Sequence, residues 1–226
     1  MTNAPKAPWS GERYWSQRFL LNDSPWELGK PSGVVLEAVS LLSARDVSLA
    51  GSSVLVPGCG TGSDALALAR AGAHVLAVDW SPVAVERLGE KLGAAGPLAG
   101  TLEVRRCDVL TADLGVFDIV VEHTFLCAID PSQMPQYAKA VSAACRPGGH
   151  LVGNLFLLGE SDLSGAPWRS LTKDGVGPPF GSSERTIREL LGGTFEFLEL
   201  KPARSPDPDR RPGIEWAAVL RRLELG

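Results

Sequence analysis

Short apolar runs that alternate with helical patterns constrain this chain more than any other feature. The runs cover residues 54–56, 75–78, 102–104, 119–121 and 151–158, and helical patterns lie between them at 63–71, 82–92 and 134–145. Strands read as near-continuous apolar runs when crossover helices cover both faces of their sheet, so the pattern predicts a parallel, doubly wound α/β sheet. Ser81 and Pro82 supply an N-cap and a first-turn proline for the second helix. Pro147, Gly148 and Gly149 are expected to end the third helix and turn the chain into a strand. After a loop rich in Gly and Pro, from Gly159 to Gly181, a further helix is expected over 183–191. Two final strands, 194–200 and 214–221, then pair as an antiparallel hairpin around a loop at 201–213 that holds four prolines. The expected architecture is one domain over residues 1–226: a seven-stranded, mostly parallel sheet with an antiparallel last strand.

A chain of 226 residues fits one such domain. Its net charge of −4 argues against the basic face that phosphate backbones require, so no nucleic-acid partner is expected. No stretch approaches the ~20 apolar residues of a spanning helix, and the first eight residues have neither a basic start nor an apolar run. A cytoplasmic protein without a membrane partner, monomeric or weakly dimeric, is the expectation. Cys59, Cys107, Cys127 and Cys145 lie far apart, without the paired spacings of zinc or redox sites, and read as reduced thiols.

The strongest local signal is the segment Val56-Pro57-Gly58-Cys59-Gly60-Thr61-Gly62, which joins the first apolar run to a helix. Glycines there let a ligand approach the backbone, and the helix start offers unpaired N–H groups to a carboxylate or phosphate. A nicotinamide fingerprint requires a third glycine where Ser63 stands, so the loop departs from G-x-G-x-x-G. Its bland alternative is a tight turn holding no ligand. Asp79 ends the second strand, where a carboxylate accepts both hydroxyls of a ribose, with Trp80 beside it. Asp108, followed by Val109, comes after the third strand and is placed to accept from an adenine amino group. Helix capping and a solvated loop are their respective alternatives. Together, at the ends of successive strands, these residues outline a nucleoside crevice. With the antiparallel last strand, they point to S-adenosylmethionine (SAM) as cofactor.

Several stretches resemble the thiopurine S-methyltransferase family, and especially its halide and thiol methyltransferase branch: Ser24-Pro25-Trp26-Glu27-Leu28-Gly29, the glycine loop through Asp64, residues 117–130 (FDIVVEHTFLCAID), Arg146-Pro147-Gly148-Gly149 and Gly177-Pro178-Pro179-Phe180. The likeness runs from about Tyr14 to Leu191. It implies a SAM-dependent enzyme whose N-terminal cap, residues 1–30, closes the site with Trp15, Phe19 and Trp26. Aromatic faces suit a sulfonium, which they attract by ~0.5–2 kcal/mol. The resemblance further implies that Glu122 lies on the cofactor's methionine side, that His123 faces the acceptor, and that residues 159–182, with Trp168 and Phe180, form the acceptor wall. Enzymes of that branch that use halide or thiocyanate carry tyrosine in the position of Phe180. Phenylalanine removes that hydroxyl and favours an apolar thiol over a halide.

Methyl transfer from a sulfonium is an in-line displacement, so alignment and water exclusion are the protein's main tasks. A thiolate or halide arrives as an anion and needs no strong base. Other readings are an O- or N-methyltransferase with His123 as base, a nucleoside-binding protein without catalysis, and a nicotinamide oxidoreductase. Cys127 reads as a small packing residue.

Overall fold

The computed structural model describes residues 7–204, 206 and 213–224. After a 3-10 turn at Pro8–Ser10 come α1 (Glu12–Leu20) and α2 (Gly33–Ser43). The chain then alternates β1 (Ser53–Pro57), α3 (Ser63–Arg70), β2 (His74–Asp79), α4 (Pro82–Ala94), β3 (Thr101–Arg106), β4 (Phe117–His123), α5 (Met134–Ala144) and β5 (Cys145–Phe156). The last third holds α6 (Glu160–Leu163), β6 (Trp168–Ser170), β7 (Phe180–Ser182), α7 (Glu184–Leu191), β8 (Phe195–Pro202) and β9 (Glu215–Arg222). Seven strands form one sheet in the order β3-β2-β1-β4-β5-β9-β8. The first five are parallel, and β9 pairs antiparallel with both β5 and β8. This is the Rossmann-like arrangement expected. The hairpin loop lies largely outside the described residues.

The apolar runs have their cause in the two faces. Leu55, Leu76, Val120 and Leu151 pack with Tyr137, Val141, Ile187 and Leu191 on one side. Their strand neighbours Val54, Val56, Val75, Ala77, Ile119 and Val121 pack with Ala38, Leu42, Ala65, Leu68 and Leu88 on the other. Successive side chains point to opposite faces, so burial on both sides makes every position apolar.

Three features depart from the sequence expectations. Helix α2, capped by Ser32 accepting from the Val35 N–H, lay outside every predicted element: its apolar, β-branched start hides the helical period. Helix α5 ends at Ala144, and Cys145 is already extended (φ −97°, ψ 124°). Pro147-Gly148-Gly149 therefore lies inside the first part of β5 rather than ending the helix, where Pro147 bars Arg146 from helical geometry and the register with β4 shifts. The segment 159–182 is not a plain loop, because β6 and β7 pair antiparallel within it. Among the described residues no helix is long and apolar enough to cross a membrane.

Candidate active site

A cavity of about 480 Å³ opens along the C-terminal edge of the parallel strands, a volume typical of small-molecule sites. Each strand end contributes to it: Gly58 and Gly60 after β1, Asp79 and Trp80 at β2, Asp108 and Val109 after β3, Thr124 and Phe125 after β4, and Phe156 on β5. The N-terminal segment lays Trp9, Trp15, Arg18, Phe19 and Trp26 over this edge, and Leu171, Pro178, Pro179 and Ile214 complete the wall.

Gly58 and Gly60 have φ of +59° and +54°, conformations that favour glycine. A side chain at 58 would strike Phe125, and one at 60 would strike the Glu27 carboxylate. The tight loop brings the Gly60 N–H to Asp79 Oδ2 at 3.0 Å, while the Ser81 N–H donates to Oδ1 at 2.9 Å. A carboxylate offers about four lone-pair sites, so two remain, the number a ribose diol needs. Asp79 lines the cavity yet is only 7% exposed. Burial pushes its carboxyl up to about 6, against the pull of the Ser81 and Gly60 N–H groups.

A pH dependence follows. A ribose held by Asp79 would donate to the ionised carboxylate, so on that placement SAM affinity should be flat above pH 6 and fall by about tenfold per unit below it. Asp79→Asn should flatten that profile. A native affinity constant from pH 7 to pH 5 would show that binding does not use the Asp79 charge. For stability the sign is opposite. The raised folded value means that this group favours folding most below the ordinary aspartate range, a contribution lost as pH rises through 6.

Asp108 accepts from the Leu110 N–H at 2.9 Å and from the Thr111 hydroxyl at 3.3 Å, and keeps a place on the cavity wall. Val109, next to it, is buried. Trp26 meets Trp15 and Phe19 edge-on, with centroids 5.4 and 5.7 Å apart. Sequence reasoning missed three residues of this cap. Trp9 accepts at its carbonyl from Trp15 Nε1 at 2.9 Å. Arg18 stands over the Trp26 ring at 4.6 Å. Glu27 accepts from the Thr61 N–H at 2.9 Å and bonds the Thr61 hydroxyl, which also accepts from Lys91 Nζ at 2.6 Å. This carboxylate fastens the cap to the glycine loop. Its signal was its place in the Ser24–Gly29 stretch.

Two residues of β4 take other directions. Glu122 is 1% exposed and lines no part of the cavity. Its Oε1 accepts from the Phe125 and Leu126 N–H groups at 2.8 and 2.9 Å, and its Oε2 from the Tyr137 hydroxyl at 2.7 Å. Burial raises its carboxyl, and these three donors pull it back. His123 instead lines a small separate recess of about 30 Å³, with its Nδ1 2.6 Å from Asp64 Oδ2. On the acceptor side, Phe180 and Trp168 do not line the cavity. Phe180 backs Trp9, with ring centroids 6.2 Å apart, and Trp168 packs against the core.

The sheet order, the glycine loop and the carboxylates along one edge define a class: the fold and crevice are those of the SAM-dependent methyltransferases. The family model for thiopurine S-methyltransferase matches residues 11–217, and the chain belongs to that family. It is 34% identical over 154 residues to probable thiol methyltransferase 2 of Arabidopsis thaliana, a match covering 68% of this chain and 65% of that relative, just under two thirds of its length. It is 27% identical to thiocyanate methyltransferase 1 of the same plant, over 80% of this chain and 70% of the relative. In fold it is similar to the Burkholderia thailandensis 1,6-didemethyltoxoflavin-N1-methyltransferase, solved with S-adenosylhomocysteine. The TM-score is 0.70 at 19% identity, with 99% of this chain and 94% of the other covered.

Proposed function

We propose that this chain is a SAM-dependent methyltransferase whose acceptor is a small apolar thiol. Bound, the donor supplies a methyl group on a positively charged sulfur, open to in-line displacement. The residues bind, orient and exclude water: Asp79 takes the ribose, Asp108 and Val109 the adenine, and the cap aromatics the sulfonium. One observation carries the acceptor class. Among the described lining residues there is no histidine and no lysine, and Asp79, Asp108 and Asp130 each accept from backbone N–H groups. With no imidazole or amine base on the wall, the site suits an acceptor that ionises in water by itself, as an aryl thiol does to its thiolate. The wall of Phe156, Leu171, Pro179 and Ile214, where Phe156 ends β5 three strands across the sheet from Asp79 on β2, is apolar. That favours a thiol carrying an apolar group over a bare halide. The names of the plant relatives point to the same chemistry. An O- or N-methyltransferase using His123 as base fits less well, because His123 lies off the cavity with Nδ1 bonded to Asp64.

Residues 1–30, of which 1–6 lie outside the described residues, serve as a lid, and 159–182 form the acceptor side of one domain. The enzyme works as a cytoplasmic monomer or weak dimer, and the net charge of −4 gives no support for a nucleic-acid partner. A screen of iodide, thiocyanate, hydrosulfide, aryl thiols and thiopurines, read by S-adenosylhomocysteine release, tests it. Turnover should be fastest with an aryl thiol. Iodide outpacing every thiol would overturn the acceptor assignment.

A further inference from the structure

Trp9 stands apart from the other aromatics of the cap. Trp15 and Phe19 both meet Trp26 edge-on, whereas the ring partner of Trp9 is Phe180 on β7, with centroids 6.2 Å apart and planes at 58°. Trp9 also rests on the loop that leads into β7. A Cβ at Gly177 would lie 3.1 Å from Trp9 Cε3 and 3.3 Å from Cζ3, so a glycine there is what lets the six-membered ring pack this closely. The indole Nε1 is buried and bonds no described residue, so the ring is held by packing and by the bond that the Trp9 carbonyl accepts from Trp15. Pro178 and Pro179 continue from Gly177 onto the cavity wall beside Leu171, whose N–H donates to the Pro179 carbonyl at 2.8 Å. Trp9 lines the cavity, and Gly177 and Phe180, which seat it, do not. The acceptor side therefore presents an aromatic ring that the N-terminal segment supplies.

We infer that Trp9 selects the acceptor: its indole is the surface on which a planar aryl group of the acceptor stacks, and Gly177 is the positioning residue that seats it. The inference rests on the thiol reading and narrows it from apolar thiols to aromatic ones. A wall of Leu171, Pro179 and Ile214 favours burial of any hydrocarbon in proportion to its area. It does not separate a phenyl from a cyclohexyl group. Aromatic rings in offset or edge-on contact gain beyond their buried area, so an indole on the wall does separate the two. Phe156 is the other aromatic of this wall, and a variant at position 9 tells the two rings apart.

Calorimetry on the full chain, saturated with S-adenosylhomocysteine, compares methyl phenyl sulfide with methyl cyclohexyl sulfide, the thioether products of an aromatic and a saturated thiol. Both are neutral, so thiol ionisation does not enter. The native protein should bind the phenyl compound about three- to tenfold more tightly, the scale of one aromatic pair. Trp9→Leu, which keeps an apolar group in place, should make the two affinities equal. Gly177→Ala should lower the preference by displacing the ring, and should have no further effect on it in the Trp9→Leu background. Strain from a side chain at φ +79° is common to both ligands and cancels in the ratio. An effect of Gly177→Ala that persisted in that background would overturn its positioning role. A preference that survived in Trp9→Leu would overturn the inference and assign selection to Phe156. Equal native affinities would overturn it too, while the thiol reading would stand on turnover in the acceptor screen. Iodide outpacing every thiol in that screen, with neither thioether bound, would sink both.

Discussion

A chain shortened by residues 1–22 should keep its sheet and lose turnover with every acceptor. None of the residues in the two main core clusters precedes Val35, so the removed segment contributes nothing to either core and touches the sheet's layers mainly through the Ser16 hydroxyl on Ser81 at the start of α4. What the deletion removes is a wall of the site: Trp9, Trp15, Arg18 and Phe19 all line the cavity. Aromatic rings against a cation contribute ~0.5–2 kcal/mol each, so losing several costs about a hundredfold or more. Admission of water would add to that loss. The remaining anchor, Glu27 on Thr61, should keep Trp26 in place. Circular dichroism should show a native-like sheet, and S-adenosylhomocysteine release should fall below detection. A truncated protein that retained more than a tenth of the native turnover would make the cap aromatics packing residues.

Glu122→Ala should have the largest effect on stability. The substitution strands three buried donors, the N–H groups of Phe125 and Leu126 and the hydroxyl of Tyr137, and leaves a void. Each orphaned donor costs ~1–3 kcal/mol, and with partial relaxation the sum is about 3–5 kcal/mol. That is a large share of the ~5–15 kcal/mol that holds a domain together. Glu122→Gln keeps an oxygen for both N–H groups, and the Tyr137 hydroxyl can turn to accept from the new amide. It should unfold close to the native midpoint. Urea unfolding of the two variants decides the matter. An alanine variant as stable as the native protein would mean that Glu122 does not organise the turn after β4.

These two experiments fall on either side of what the sequence made legible. Sheet topology was readable because burial on both faces turns each parallel strand into an apolar run, and because the crossover helices carry their own caps, as at Ser81-Pro82. The glycine loop, Asp79 and Asp108 were readable for a related reason: a strand end in such a sheet has a known place, and left-handed backbone at Gly58 and Gly60 demands glycine locally. The resemblance to the thiopurine S-methyltransferase family added the cap, and Trp15, Phe19 and Trp26 do close over the cavity.

Side-chain direction at the same strand ends was decided by tertiary structure alone. Glu122 and His123 are sequence neighbours with similar expected roles, yet consecutive strand residues point to opposite faces. One therefore meets Tyr137 on α5, and the other meets Asp64 on α3. Phe180 stands in the Gly-Pro-Pro-Phe stretch of the resemblance, but Trp9, far away in sequence, lines the cavity in front of it. The place of Trp9 on the cavity wall and the polar recess behind the glycine loop both arise from such distant pairings. Local periodicity records which faces of an element are buried. It carries no record of which partner from another part of the chain arrives to bury them, and the chemistry of this site depends on those partners.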